Sequence, residues 1–366
     1  MMVTTQIGHQ GSSEESIRAV ILSDGKAGHY NQSLGVIQNI PDCDYHWVEI
    51  KFQSKRRDNI LRVLMRIFGG CSLPDWFIKR LLRVVLQPET WTEISTVKRA
   101  DLILSTGSSV AAVNLLVGQL FNAKTVTCRR PSPVGTTYFD LAILPKMYWP
   151  HRDKKNICET IGVPNAVSPE KLNARRKQLQ TDLALTDRRR IGVLIGGEDR
   201  YDTITEGTAL RLIDVLQRVV AKLDCQILLT TSRRTPTRVV EVIDEHLSDP
   251  NLCPICVLAA RDSQIAHPVE AIFALSDLIL VTEDSFSMVC EAASSGRRVI
   301  ILEVDHKTRH RPKRCQVYTE LMRHASVEWC DIKDLLERIP KALADRSPIK
   351  SLCDTRRAAN AVVQLL

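Results

Sequence analysis

Aromatic side chains make up only 5% of this 366-residue chain, which argues against a protein that grips single-stranded nucleic acid or sugar rings by stacking. Its eleven cysteines have no pairing rhythm. The closest pair, Cys253 and Cys256, has no second CxxC to complete a zinc set, so reduced thiols are expected rather than a disulfide framework. No run of about 20 predominantly apolar residues occurs. The most apolar long window, 102–121, is broken by Ser105, Thr106, Gly107, Ser108, Ser109, Asn114 and Gln119, and reads as a strand, a polar turn and a helix. The N-terminal MMVTTQIGHQGSSEES is polar and acidic, unlike a secretory signal or an Arg-rich transit peptide, and a cytoplasmic location is expected. H-E-x-x-H, the nucleophile elbow, Walker A and G-x-G-x-x-G are also missing, so zinc-protease, P-loop and nicotinamide chemistry lose weight.

What is present is a globular composition, 44% hydrophobic and 25% charged, on a chain longer than the roughly 250–300 residues at which one core stops growing. Short aliphatic runs end in polar turns with a fixed rhythm. Residues 18–23 (RAVILS) run into DGKAGH, and a helix is expected over 31–40. Residues 45–50 (YHWVEI) alternate as a second strand, 100–104 (ADLIL) run into STGSS and an apolar helix, and KTVTC and LAIL follow as strands. The polar, charged stretch 165–190 reads as a junction. Beyond it 191–195 lead into Gly196-Gly197, QILLT into TSRRTP, and DLILV into TEDS with a helix over 286–294. RVIIL is expected as the last strand and 354–366 as a terminal helix. Strand–turn–helix alternation predicts α/β parallel sheets covered by helices on both faces. The expected domains are 1–185 and 186–345, with 346–366 as a terminal helix returning to the first.

Net charge is +8, and Lys51, Lys55, Arg56, Arg57, Arg62, Arg66, Lys79, Arg80 and Arg83 against Asp58 and Asp75 account for nearly all of it. Two amphipathic helices are expected there, over 58–68 and 76–86. The first sets Ile60, Leu61, Val63, Leu64, Ile67 and Phe68 on one side and Arg62 and Arg66 on the other. Basic on one face, aliphatic on the other, with Trp76 and Phe77 at an edge, residues 51–86 suit an anionic membrane surface, each basic residue adding about 1 kcal/mol there. The plainer reading is a solvated helical hairpin packed on the first domain. No fold signature supports nucleic acid as a partner.

In open parallel sheets, ligands sit beyond the carboxyl ends of the strands. The stretch TEDSFSMVCEA is therefore the most informative: a strand delivers an acid- and hydroxyl-rich turn that opens a helix. Backbone N–H groups there suit an anion, Ser285 and Ser287 add hydroxyls, and Glu291 can accept both hydroxyls of a ribose. The plainer reading of Ser285 or Asp284 is an N-cap. Thr231-Ser232-Arg233-Arg234 sets two guanidiniums beside two hydroxyls, a phosphate clamp, and Gly196-Gly197 let a backbone approach a ligand closely. In the first half, Asp24 or His29 is placed to take a proton from a hydroxyl, and Arg129-Arg130 to reach an anionic substrate.

DGKAGH with Gln32, STGSS, CRRPSP, the late GGE, TTSRRTP and TEDSFSMVCEAASSG occur in that order over 19–302. Together they resemble the plant mitochondrial-fission factor family, which is also widespread in bacteria. That family is similar to GT-B glycosyltransferases, in which two Rossmann-like domains face each other across a cleft and the nucleotide sugar binds mainly to the second. Residues 285–296 are also similar to the donor site of the peptidoglycan N-acetylglucosaminyltransferase. The resemblance implies a donor site of Gly196, Gly197, Thr231, Ser232, Arg233, Arg234, Glu283, Asp284, Ser285, Ser287, Met288 and Glu291. It implies an acceptor side of Gly25, Lys26, Gly28, Gln32, Ser105, Thr106, Gly107, Arg129 and Arg130, with Asp24 and His29 as the catalytic candidates. The implied reaction is transfer of a sugar from a nucleotide sugar to an envelope glycan or lipid acceptor, lipid-linked or of the lipopolysaccharide type, with no cofactor and no metal, at the inner face of the membrane. The alternatives are a non-catalytic scaffold, since plant members act as fission factors, and a nucleotide-sugar epimerase.

Overall fold

A computed structural model of the chain describes residues 16–150, 154–183, 185–259 and 267–366; the N-terminal stretch read above, up to residue 15, lies outside them. The chain forms two compact units, one of residues up to Ala166 together with Cys353–Leu366, the other of Val167–Leu352.

The first unit runs β1 (Ile17–Ser23), α1 (Ala27–Ile37), β2 (Cys43–Glu49), α2 (Lys55–Phe68), α3 (Asp75–Val85), α4 (Pro88–Thr96), β3 (Leu102–Thr106), α5 (Ala111–Phe121), β4 (Lys124–Cys128), β5 (Leu141–Pro145) and β6 (Ile157–Thr160). Its sheet has the order β2-β1-β3-β4-β5-β6, and its neighbouring strands pair in parallel. The period of two along a strand divides its core. Ala19 and Ile21 pack with Val36, Ile37, Leu102 and Leu104 on one face. Val20 and Leu22 pack with Leu61, Ile78, Leu82, Ile103 and Leu116 on the other. Both faces are covered, which is why these strands read as unbroken apolar runs.

The second unit runs α6 (Pro169–Asp182), β7 (Arg189–Ile195), β8 (Asp202–Thr203), α7 (Glu206–Leu223), β9 (Cys225–Thr231), α8 (Thr237–Leu247), β10 (Ile255–Val257), α9 (Pro268–Leu275), β11 (Leu278–Thr282), α10 (Phe286–Ser294), β12 (Arg298–Leu302), β13 (Asp305–His306), α11 (Arg314–His324), β14 (Val327–Cys330) and α12 (Leu335–Ala344). Its parallel sheet has the order β10-β9-β7-β11-β12-β14. The last helix, α13 (Asp354–Val363), belongs to the first unit. Ala358, Ala359 and Val362 join the β1 core there, and the Asp354 carboxylate accepts from the Ile161 and Gly162 N–H groups at 3.1 and 2.6 Å.

Four sequence expectations need correction. The first boundary falls after Ala166, not near 185, because α6 packs along α9, with Arg175–Glu270 and Arg176–Asp277 ion pairs at 2.7 and 2.9 Å. The return to the first unit begins at Cys353 rather than 346. β12 is followed by a further strand of the same sheet, β14, whose four residues include the half-buried Glu328 and Trp329 and carry little apolar signal. Finally, α2 seats itself through Leu61 and Met65, while Ile60, Val63, Leu64, Ile67 and Phe68 are left exposed. The single aliphatic side expected for this helix is therefore divided: Leu61 packs on the core and the other five are turned to solvent.

Candidate functional site

Strand order decides which turns meet. In the first sheet the chain steps from β1 to β2 on one side and then to β3 on the other, so the turns after β1 and β3 flank a topological switch point. Asp24 follows β1, and Gly107 follows β3. In the second sheet the same reversal lies between β7 and β11, bringing together Gly196-Gly197 and Asp284.

At the first switch point the Asp24 carboxylate, 6% exposed, accepts from Lys26 Nζ at 2.7 Å. His29 Nδ1 lies 3.0 Å from both of its oxygens. Burial alone raises the Asp24 carboxyl, but the hydrogen bonds and charges of His29 and Lys26 outweigh it and bring it down to about 2. An ionised carboxylate only accepts, so His29 Nδ1 carries a hydrogen toward Asp24, and in the neutral imidazole Nε2 is then the nitrogen with the free lone pair. Arg129 Nη1 reaches Nε2 at 3.4 Å. Arg129 sits at φ 83, a costly backbone for a side chain of that size. Gly107, at φ 113, admits the imidazole: a Cβ there would stand 2.8 Å from His29 Nδ1 and 3.2 Å from Asp24 Oδ2.

The remaining residues expected on this side divide. Gly25, Lys26 and Arg130 are exposed at the strand ends, and Gly28 is half-buried. Gln32 is buried and donates to the Gly28 carbonyl at 3.0 Å. Ser105 and Thr106 are buried and bond within the scaffold: Ser105 Oγ accepts from Asn114 Nδ2 at 2.8 Å, and Thr106 Oγ1 pairs with Ser33 Oγ at 2.9 Å. Their expected contact with an acceptor is corrected accordingly.

At the second switch point three turns are stitched together. Gly196 N–H donates to Thr282 Oγ1 at 2.8 Å, Gly197 N–H to Asp284 Oδ2 at 2.6 Å, and Glu198 N–H to the Arg234 carbonyl at 2.9 Å. Thr235 Oγ1 donates to the Gly196 carbonyl, and the Arg234 N–H to Ser232 Oγ at 3.0 Å. The Arg234 guanidinium bonds the Glu198 carbonyl at 3.2 Å and lies 3.6 Å from Asp284; Arg233 is exposed beside it. Ser285 stands at the N-terminus of α10 without a side-chain cap bond, and Ser287, Met288 and Glu291 are half-buried along that helix.

Three of the expected donor-side groups bond within the fold. Thr231 Oγ1 accepts from the Ala259 N–H at 2.9 Å. The Asp284 carboxyl is fully buried; burial pushes it up, against the pull of Gly197 N–H and Arg234. Glu283 is turned away, accepting from the Val304 N–H at 3.1 Å.

Glu283 leads into a charged network that sequence reasoning missed. His306 lies between Asp202 (Nδ1 to Oδ1, 2.7 Å) and Glu283 (Nε2 to Oε1, 3.6 Å). Arg314 pairs with Asp202 and, at 2.7 Å, with Asp199. The β8–β13 ladder, which sets His306 opposite Asp202, brings these distant positions together, and no local motif announces it. Burial pushes the Glu283 carboxyl up to about 7, against the Val304 N–H and the His306 charge. A carboxyl raised in the folded state holds its proton more tightly there. Its favourable contribution is complete below the ordinary glutamate range, about pH 4.3, and is lost as pH rises through 7. Glu283→Gln keeps an acceptor for Val304 N–H and removes the ionisation. Its melting temperature is expected above that of the wild type at pH 8, with the gap closing by pH 5; a gap independent of pH would refute the assignment.

Two parallel six-stranded α/β sheets with these connections make this a GT-B fold. The UDP-GlcNAc 2-epimerase of Methanocaldococcus jannaschii superposes at a TM-score of 0.56 and 13% identity, over 95% of this chain and 99% of that one. The Neisseria meningitidis epimerase, solved with UDP-GlcNAc bound, gives 0.54 and 14%, over 95% and 99%. The glycosyltransferase SnogD of Streptomyces nogalater gives 0.50 and 13%, over 96% and 95%. Within this fold class the chain belongs to the mitochondrial fission ELM1 family, whose profile matches residues 27–366. The uncharacterized protein RP120 of Rickettsia prowazekii is 30% identical over 111 residues, a match spanning 30% of this chain and 30% of that protein's length.

Proposed function

We propose that the protein is a glycosyltransferase that moves a sugar from a nucleoside diphosphate or monophosphate sugar to a cell-envelope acceptor, lipid-linked or of the lipopolysaccharide type, without a metal ion. The observation that carries this reading is the hydrogen-bonded Asp24–His29 pair at a switch point of a GT-B fold. An imidazole whose Nδ1–H is held by a carboxylate presents Nε2 as a general base. As the acceptor oxygen attacks the anomeric carbon, Nε2 takes its proton. The bond to phosphate breaks, and the nucleotide leaves with the electron pair. Asp24 stabilises the imidazolium that results.

The nucleotide belongs to the second unit in this reading. Arg233, Arg234 and the backbone N–H groups at the start of α10 offset the charge that builds on the leaving phosphates. Glu291 accepts from the ribose hydroxyls. Fold relatives named for UDP-GlcNAc support a nucleotide sugar as the ligand class. An acceptor of this chemistry puts the work at the cytoplasmic face of the membrane.

Calorimetry with UDP, GDP, CMP and their sugars tests the reading. One nucleotide is expected to bind, and Arg234→Ala to weaken it by about 2 kcal/mol, the worth of a charge-assisted hydrogen bond. Unchanged affinity removes Arg234 from the site. A folded protein that binds none of them favours the scaffold, and a donor isomerised without acceptor favours the epimerase.

A further inference from the structure

We infer that the α2–α3 hairpin is a membrane-insertion surface: its exposed apolar side chains enter the boundary between headgroups and acyl chains of an anionic bilayer, while the basic side chains around them pair with lipid phosphates. This goes beyond sugar transfer and holds whether or not that reading does.

The first observation is an apolar stripe that folding does not use. On α2, Ile60, Val63, Leu64, Ile67 and Phe68 recur at the spacing of one helical face. Ile60 and Ile67 are each 60% exposed, whereas Leu61 and Met65 make the contact with the core. On α3, Ile78, Leu82 and Val85 are buried, and Trp76, Phe77 and Val84 face outward, Trp76 at 65% exposure. Of the thirteen large hydrophobic residues exposed among the described residues, eight lie on these two helices. Single exposed apolar residues need no explanation, but a concentration of them marks a contact surface.

The second observation is that the turn of the hairpin is tied to the rest of the unit. Gln119 of α5 accepts from the Leu73 N–H at 3.3 Å and donates to the Cys71 carbonyl at 3.1 Å, pinning the connecting turn. Tyr138 covers Gly69 and Gly70 so closely that a Cβ on either would come within 3 Å of its ring. The apolar side chains are thus presented on an ordered support and have no route into the core.

Charge selects the occupant. Lys55, Arg56, Arg57, Arg66, Lys79, Arg80 and Arg83 are exposed on the same two helices. Asp58 is buried and neutralised by Arg62 at 2.8 Å, leaving Asp75 as their exposed acid. A second copy of the chain would bring the same positive charge against itself, and an ordinary protein interface is depleted of charge at its core. An anionic bilayer accepts both components, apolar wedge and basic rim. Trp76, in edge contact with Phe77 at 5.8 Å between ring centroids, has the amphipathic ring enriched at membrane–water boundaries.

The test uses the full chain and vesicles of phosphatidylcholine with or without phosphatidylglycerol. Ile60→Ser/Ile67→Ser/Trp76→Ser removes apolar tips that contribute nothing to the core, so its thermal melt is expected to match the wild type. Its partition onto phosphatidylglycerol vesicles is expected to fall by at least about tenfold. Lys79→Ala/Arg80→Ala/Arg83→Ala is expected to abolish the preference for phosphatidylglycerol over phosphatidylcholine alone. Tryptophan emission is expected to shift to the blue on vesicle binding, and Trp76→Phe to remove most of that shift. Equal pelleting of the serine variant and the wild type overturns the inference. So does a wild type that ignores both vesicle types, or one that self-associates through these side chains and pellets only as the oligomer.

Discussion

His29→Ala is expected to lower turnover in a transfer assay by about 10²–10⁴-fold, the usual worth of a positioned general base, while nucleotide affinity stays at the wild-type value. The two readouts separate because His29 belongs to the first unit and the proposed nucleotide contacts to the second. Nothing in the core depends on the imidazole: it is half-buried at the start of α1, and its partners are Asp24 and Arg129. Asp24→Asn probes the same pair from the other side. An amide can orient Nδ1 but carries no charge to stabilise an imidazolium, so a loss of comparable order is expected. Asp24 cannot itself supply a proton-dependent limb near neutrality, since its carboxyl lies at about 2. A depressed carboxyl contributes stability above its ordinary value of 3.8 and loses it as pH falls toward 2. The Asn variant should therefore match the wild type's melting temperature near pH 2 and fall below it at pH 7. Retained turnover in His29→Ala, or equal losses of turnover and nucleotide affinity, would remove the dyad from the chemistry.

Much of the architecture was legible because parallel strands buried on both faces leave continuous apolar runs. The stretches 18–23, 191–195 and 277–281 each announce a strand and, in the polar residues that follow, its carboxyl end. The turns that gather at the two switch points are therefore recognisable as candidates from the sequence alone. What a turn residue faces was not legible. Ser105 and Ser285 are both serines after or near a strand end, yet one hydroxyl serves Asn114 in the interior and the other opens α10. Glu283 and Asp284 read as ligand-facing acids of the donor turn, and both are buried against backbone N–H groups. The apolar arc of α2 is wider than its contact requires, so periodicity finds the helix but cannot choose which part of the arc packs. The His306 network failed for another reason: Asp202, Glu283, His306 and Arg314 are joined by strand pairing and loop return, and neither has a local signature.

Gly197→Ala is expected to be the most damaging single methyl in the second unit. A Cβ at Gly197 would stand 2.1 Å from the carbonyl carbon and oxygen of Arg234. The atoms that would have to yield are backbone, fixed by the bond from Glu198 N–H to that same carbonyl at 2.9 Å. The clash has no soft side chain to absorb it, so the turn carrying Ser232 to Thr235 must move away from β7. Overpacking of this kind costs roughly 1–3 kcal/mol, and here it also breaks the stitching that positions Arg233 and Arg234. Nucleotide affinity should fall with stability, in contrast to His29→Ala, which spares it. Gly207→Ala is the matched control. It lies in the first turn of α7, where a Cβ would meet Arg211 Nη1 at 3.6 Å, an ordinary contact, and alanine there is expected to be neutral or to stabilise by up to about 1 kcal/mol. Chemical denaturation of the two variants checks the contrast. If both shift the midpoint alike, close backbone approach is not what requires glycine at 197. If Gly197→Ala unfolds early yet binds nucleotide as tightly as the wild type, the stitched turns hold the sheet together without forming the nucleotide site.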